Sequence, residues 1–118
     1  MKHWKQLETL KELTHYGYTY WHTDDLFDIL GFAQKSSKRL LEELIPLLNE
    51  MGENVEDHIV PGYKTDFEIS PLVCYLLTRR CPIKKDDVES IKLYFVHHLN
   101  RQLDEQMSTN YTTNKKVA

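Results

Sequence analysis

The chain has 118 residues, 41% of them apolar, and a formal net charge of −3. That is enough for one domain burying roughly two-thirds of its unfolded surface, and too acidic for a protein that holds polyanions by bulk charge. No apolar run approaches the ~20 residues of a membrane span, and "MKHWKQLETLKELTHY" lacks the continuous apolar core of a signal peptide. Two cysteines, Cys74 and Cys81, fit a reduced, cytosolic protein. The mean charge hides an asymmetry: Glu42 to Asp57 holds six acids and no base, whereas Arg79 to Lys85 holds four bases and no acid.

Residues 2 to 14 read as a helix, with Trp4, Leu7, Leu10 and Leu13 about one turn apart. Gly17 breaks it, and "YTYW" suits a short strand. Thr23 is a good N-cap for a helix over Asp24 to Leu30, with Asp24 and Asp25 in its first turn and Gly31 closing it. After the linker "FAQKSS" a longer helix carries Leu40, Leu41, Leu44, Ile45, Leu48 and Met51 in one stripe. Gly52 ends it, and Pro46 inside it predicts a kink or a split.

Between 53 and 70, turn signals at Glu53-Asn54 and Pro61-Gly62 separate the β-prone pieces "HIV" and "DFEIS", which predicts a hairpin or two short strands. Ser70-Pro71 is an N-cap followed by proline at the first helical position, opening a helix to about Arg80 that Pro82 ends. The last helix starts at Asp86 with Glu89 completing a capping box, and its stripe is Val88, Ile91, Phe95, Leu99 and Leu103. Residues 108–118 are polar and read as a mobile tail behind a single domain over 1–107. The predicted fold class is α+β: mostly helical, with a small antiparallel sheet or hairpin and a helix-turn-helix-like pair.

Candidates for bond chemistry are few. Cys74 and Cys81 stand seven apart with no histidine beside them, unlike the tighter spacing of zinc motifs, so they read as structural thiols. His97 and His98 are adjacent and diverge by about 100° on a helix, unlike i, i+4 metal pairs. Asp57-His58 offers an acid–base pair without an accompanying nucleophile, and no glycine-rich phosphate loop is present. The expectation is a protein that is not an enzyme, with no cofactor, metal or small-molecule substrate.

Two features point to binding. In "TDDLFDILGFAQKSSKRLLEEL" a short helix, a turn and a second helix form a helix-turn-helix pattern, the second helix opening with Gln34, Lys35, Ser36, Ser37, Lys38 and Arg39. Gln reads adenine edges, Lys and Arg read guanine or phosphate, and serines contact phosphate. The bland alternative is two core helices joined by a solvated turn. The second feature is the cluster Arg79, Arg80, Lys84 and Lys85, a partner surface or merely cations that suit a helix C-terminus.

"YWHTDDLFDILGF" resembles the opening of DNA damage-inducible protein D and Bro-N type domains of bacteria and their phages, through Trp21, Asp25, Leu26, Leu30, Gly31 and Phe32. "DFEISPLVCYLLTRRCPIKKDDVESIKLYF" is similar, without gaps, to the family's later motifs. Asp66, Ser70, Cys74, Tyr75, Leu76, Lys85, Val88, Tyr94 and Phe95 hold the corresponding places. Asp57-His58 resembles the family's Asp-His before the hairpin. The likeness spans residues 18 to about 105. Pro71 stands where the family usually has arginine, and Cys81-Pro82 replaces a Gly-Asp turn.

The resemblance implies a cytosolic, non-enzymatic regulator of DNA-damage response or antirepressor type, acting on DNA or a DNA-associated protein. The alternative is a phage-encoded protein–protein inhibitor of a host repressor or defence complex, working through the acidic stretch Glu42–Asp57. No membrane partner is expected.

Overall fold

Trp21 carries a large apolar ring that must leave water and an N–H that must not lose its partner. The fold is arranged around those two demands. In the computed structural model, which describes residues 3–14, 18–64, 66–81 and 87–101, Trp21 is fully buried and its Nε1 donates to the Leu7 carbonyl at 2.9 Å. Leu7 is the buried residue of helix α1 (Trp4–Leu10). The Trp21 ring meets Tyr94, Phe95 and His98 edge-on, with centroids 5.9, 5.1 and 5.3 Å away. Those three belong to the last helix, α5, which is helical through residues 87–101. Trp4 fixes the same pair of helices from outside, its Nε1 donating to the Ser90 carbonyl at 2.8 Å.

The chain runs α1, β1 (Glu12–Leu13), β2 (Thr19–His22), α2 (Thr23–Leu30), a 3-10 turn (Gln34–Ser36), α3 (Ser37–Glu50), a second 3-10 turn (Val55–Asp57), β3 (Ile59–Pro61), β4 (Phe67–Ile69), α4 (Pro71–Thr78) and α5. The four strands form one antiparallel sheet in the order β1-β2-β4-β3. The result is an α+β domain, mostly helical, with a small antiparallel sheet and a helix-turn-helix-like pair. Pro61, which has no N–H, sits on edge strand β3, where a proline is tolerated. The core is lined by Leu26, Phe27 and Leu30 of α2, Leu44 and Leu48 of α3, Ile69 of β4, and Val73, Cys74 and Leu77 of α4.

Several boundaries differ from expectation. The first helix stops at Leu10, because the chain turns back into a hairpin whose strand β1 pairs Glu12 with Tyr20 and Leu13 with Thr19. Leu13, in step with the helical stripe, is 64% exposed. Thr23 is the first residue of α2 and His22 its N-cap; the Thr23 hydroxyl is used elsewhere. Pro46 does not split α3. It lies on the exposed face, so the backbone hydrogen bond it removes faces water. Met51 is exposed and the buried stripe ends at Leu48. In α5, Ile91 and Phe95 are fully buried as predicted, but Tyr94 and His98 join them. Gly17, Pro82, the Asp86 cap, Leu103 and the tail lie outside the described residues.

The glycine and serine signals hold. Gly31 and Gly52 adopt the left-handed backbone, φ 80° and 78°, and close α2 and α3. The following residues reach back, Phe32 N–H to the Phe27 carbonyl and Glu53 N–H to the Leu48 carbonyl, both at 3.0 Å. The Ser70 hydroxyl caps α4, accepting from the Val73 N–H at 3.3 Å. Cys74 is fully buried, which pushes its thiol well up. The Cys81 Sγ donates to the Leu30 carbonyl at 2.9 Å and finishes the end of α2.

One polar knot ties α1 to α5. Glu8 Oε1 accepts from the Tyr94 hydroxyl at 2.7 Å and pairs with His98 Nε2 at 3.0 Å, while Lys11 Nζ holds Oε2 at 2.7 Å. Burial alone would raise the Glu8 pKa, but the bonds from Lys11, Tyr94 and His98 outweigh it and hold the group at about 2. Burial pushes His98 the other way, below the ordinary imidazole value despite Glu8.

Two outcomes follow for stability. Phe95→Ala removes a fully buried ring and should cost roughly 3–5 kcal/mol in urea unfolding; an unchanged midpoint would contradict this packing. Because the folded pKa of Glu8 lies below its ordinary 4.5, its contribution is present above about pH 4.5 and is lost as the pH falls towards 2. The stability gap between the native protein and Glu8→Gln should therefore close on acidification, as read by chemical denaturation at a series of pH values.

Candidate nucleic-acid interface

The helix-turn-helix pattern becomes α2, a turn at 31–33, a 3-10 turn and α3. Leu40, Leu41, Leu44 and Leu48 turn inward, so helical geometry sends Lys38, Arg39, Glu42, Glu43, Pro46, Asn49 and Glu50 to solvent. Cations occupy the start of that exposed face and acids the rest. Lys35, on the preceding 3-10 turn, is exposed beside them.

Gln34 has a different task from the one its position suggests. Its Nε2 donates to the Asp24 carbonyl at 2.7 Å and to Asp28 Oδ1 at 3.2 Å, so both amide hydrogens are used inside the domain. Gln34 braces α3 against α2 and is not positioned to read a base. Ser37 is buried, and the Ser36 hydroxyl donates to the Ala33 carbonyl at 2.7 Å. The surface the helix pair offers is therefore Lys35, Lys38 and Arg39.

The start of α2 is held from a distance. With no side-chain cap of its own, it uses the Asp66 carboxylate, 42 residues away, which accepts from the Asp24 N–H at 3.1 Å and the Thr23 hydroxyl at 3.2 Å. Thr23 in turn accepts from the Phe67 N–H at 2.9 Å. The other oxygen of Asp66 lies 2.6 Å from His22 Nδ1, and His22 Nε2 lies 3.0 Å from Glu12 Oε2. An imidazole with a carboxylate at each nitrogen is best satisfied as the doubly protonated cation. Burial works against that charge, but the bonds to Glu12 and Asp66 win and the His22 pKa rises. Glu12 is lowered by its bonds to Tyr20 and His22, and the Tyr20 hydroxyl is pushed up to about 12 by Glu12.

The second basic cluster is only partly described. Arg79 and Arg80 are exposed just beyond the end of α4, with the Arg80 N–H reaching the Leu77 carbonyl; Lys84 and Lys85 lie outside the described residues. Cys81 binds the last carbonyl of α2, whereas Gln34 binds near its start. An eight-residue helix is about 12 Å long. Arg79-Arg80 and the lead-in to α3 are thus tied towards opposite ends of α2.

The Asp57-His58 pair also resolves differently. The acid on His58 is Glu53, 3.0 Å from Nε2, and Nδ1 lies 2.7 Å from the Ser70 hydroxyl. The fold thus supplies the hydroxyl that sequence spacing did not reveal. Ser70 is at the same time the cap of α4, and Pro71 after it has no N–H, so the successor donor of an α/β-hydrolase nucleophile elbow is missing here. The chain Ser70–His58–Glu53 acts as a buttress joining α4 to the loop after α3. Among the described residues no group of three His, Cys, Asp or Glu could hold a metal ion.

Comparison with protein-family models, curated proteins and solved structures finds no match in any of the three. Among the described residues no helix is long and apolar enough to cross a membrane.

His22 gives this region a pH signature. Its folded pKa lies above the ordinary 6.5, so the stabilisation it supplies is complete below about pH 6.5 and disappears as the pH rises through the raised value. Urea midpoints of the native protein and His22→Ala should differ most in mild acid and converge in mild alkali. A gap that does not vary with pH would show that the carboxylates do not bind an imidazolium.

Proposed function

We propose that this protein is a non-enzymatic regulatory module that works in the cytosol and binds double-stranded DNA, with the start of α3 entering the major groove. One observation carries the reading. The first turns of α3, including the 3-10 turn that leads into it, present Lys35, Lys38 and Arg39 outward while Leu40, Leu41, Leu44 and Leu48 fix the opposite face in the core. Recognition helices contact bases through their N-terminal residues, and the positive end of the helix dipole favours phosphate there. Glu42, Glu43 and Glu50 further along would repel the backbone, which limits insertion to the first turns. The resemblance to DNA damage-inducible protein D and Bro-N domains supports a role in the DNA-damage response or in phage antirepression.

The exposed acids Glu42, Glu43, Glu50, Glu56 and Asp57 favour a second reading, an inhibitor that engages a DNA-associated protein by imitating nucleic acid. Salt and charge reversal separate the two. With the three cations of the α3 start each neutralising a phosphate, duplex affinity should fall about 40-fold between 50 and 200 mM salt. Reversing Lys35, Lys38 and Arg39 to glutamate should abolish binding of a labelled duplex and leave the melting temperature nearly unchanged, since exposed charges matter little to folding. Reversing Arg79 and Arg80 should weaken binding much less. Retained duplex affinity in the α3 variant would refute the groove reading. A protein partner that survives nuclease treatment and is lost when Glu42, Glu43 and Glu50 become lysine would establish the second.

A further inference from the structure

The turn between β3 and β4 carries features that packing within the domain does not require. Tyr63 is 80% exposed, more than any other exposed large apolar side chain among the described residues. Next to it Lys64 adopts φ 58°, alone among the described non-glycine residues in having a positive φ. Glycine adopts that conformation without the clash between Cβ and carbonyl, so a lysine there costs the turn some stability. Its Nζ lies 5.4 Å from the Tyr63 ring centroid, so the ammonium and the ring leave the tip together.

The tip is rigidly based. The Gly62 N–H donates to the Asp66 carbonyl at 3.0 Å and the Asp66 N–H to the Tyr63 carbonyl at 3.1 Å. A Cβ on Gly62 would approach that Asp66 carbonyl oxygen to 3.1 Å, so the turn has closed as tightly as glycine allows. The Asp66 side chain is bolted to His22, Thr23 and Asp24. The backbone that carries the aromatic and the cation is thereby tied to the start of α2.

The position of the tip relative to α3 follows from one residue. The Asp24 N–H donates to Asp66 and the Asp24 carbonyl accepts from Gln34. The base of the turn and the lead-in to α3 are therefore both attached to the first turn of α2, and Lys35 follows Gln34 directly. Around this shared anchor stand Asp24 and Asp28, both exposed, with Asp25 and Asp66 partly buried; Glu68 lies on β4, paired with His22 and Val60. A polyanion would avoid that acidic ground and touch the domain at two points.

Resting on the α3 reading above, we infer that Tyr63 and Lys64 form a second DNA contact: Lys64 pairs with a phosphate of the strand flanking the groove that α3 enters, and Tyr63 packs on the adjoining sugar and offers its hydroxyl to the backbone. Phosphate contacts from lysine and tyrosine set the register of a bound protein without reading sequence. The turn would orient α3 and add affinity to every sequence alike.

The test uses the full chain and a fluorescein-labelled random-sequence DNA duplex as the probe, read by anisotropy over a salt series. Lys64→Gly removes the charge and suits the backbone, so the melting temperature should hold or rise. Affinity should fall about fivefold, and the slope of log affinity against log salt should drop by about one. Tyr63→Ala should weaken binding about tenfold with little change in slope. If both variants bind the duplex with native affinity and slope while the Lys35, Lys38 and Arg39 reversal still loses it, the turn is no contact and the α3 reading stands. If the turn variants lose binding and the α3 reversal does not, the turn contacts DNA and α3 does not enter the groove. A native protein with no salt-sensitive duplex binding removes both.

Discussion

The Asp66 carboxylate is the point on which the described architecture turns. It substitutes for the missing cap of α2 by accepting from the Asp24 N–H and the Thr23 hydroxyl, and it faces His22 across 2.6 Å. A partly buried carboxylate is tolerated only when such donors surround it. Here they come from the end of β2 and the start of α2, while Asp66 itself closes the β3–β4 turn. The order β2-β4-β3 brings Asp66 there, because pairing Trp21 with Ile69 and His22 with Glu68 leaves the residues before β4 beside the start of α2. One side chain thus fixes the helix-turn-helix and the turn in a common frame.

Two histidines with opposite tendencies mark the two sides of the domain. His22 sits between carboxylates that favour its protonated form; His98 is buried against Trp21 and Tyr94, which favours its neutral form, and gives a hydrogen bond to Glu8. Both arrangements use an exposed or half-exposed acid to satisfy groups that reach in from another element. Glu8 joins α1 to α5, and Glu12 with Asp66 joins β1 to the base of the turn. The tertiary contacts of the thin sheet and the short first helix are in this way reinforced by charge, which suits elements too short to hold together by ladder bonds alone.

Charge along α3 is divided. The positive start and acidic remainder of its exposed face give an overall acidic protein one short cationic surface. On the proposed reading, a helix that enters the groove only by its first turns would need no more, and net negative charge would suppress weak non-specific binding. The buttress Ser70–His58–Glu53 holds the start of α4 against the loop after α3, and so stiffens the scaffold behind that helix.

What the sequence determined by itself was local. Glycine at 31 and 52, the Ser70-Pro71 start, the β-prone pieces around Pro61-Gly62 and the apolar stripe of α3 as far as Leu48 all act within a few residues of backbone, and each stands where its pattern placed it. The exposed cations of the α3 start were legible too, because a stripe that fixes the buried face also fixes its opposite. What only the tertiary structure decided were the long-range partners. Leu13 kept helical spacing but lost its helix to a strand pairing with Thr19. Gln34 was drawn inward by Asp24, and Thr23 passed its capping role to Asp66. The base of the Tyr63-Lys64 turn and the lead-in to α3 share Asp24 as an anchor only in the fold. Such assignments depend on which groups the fold brings within hydrogen-bonding reach across tens of residues, and no periodicity in the chain encodes that distance.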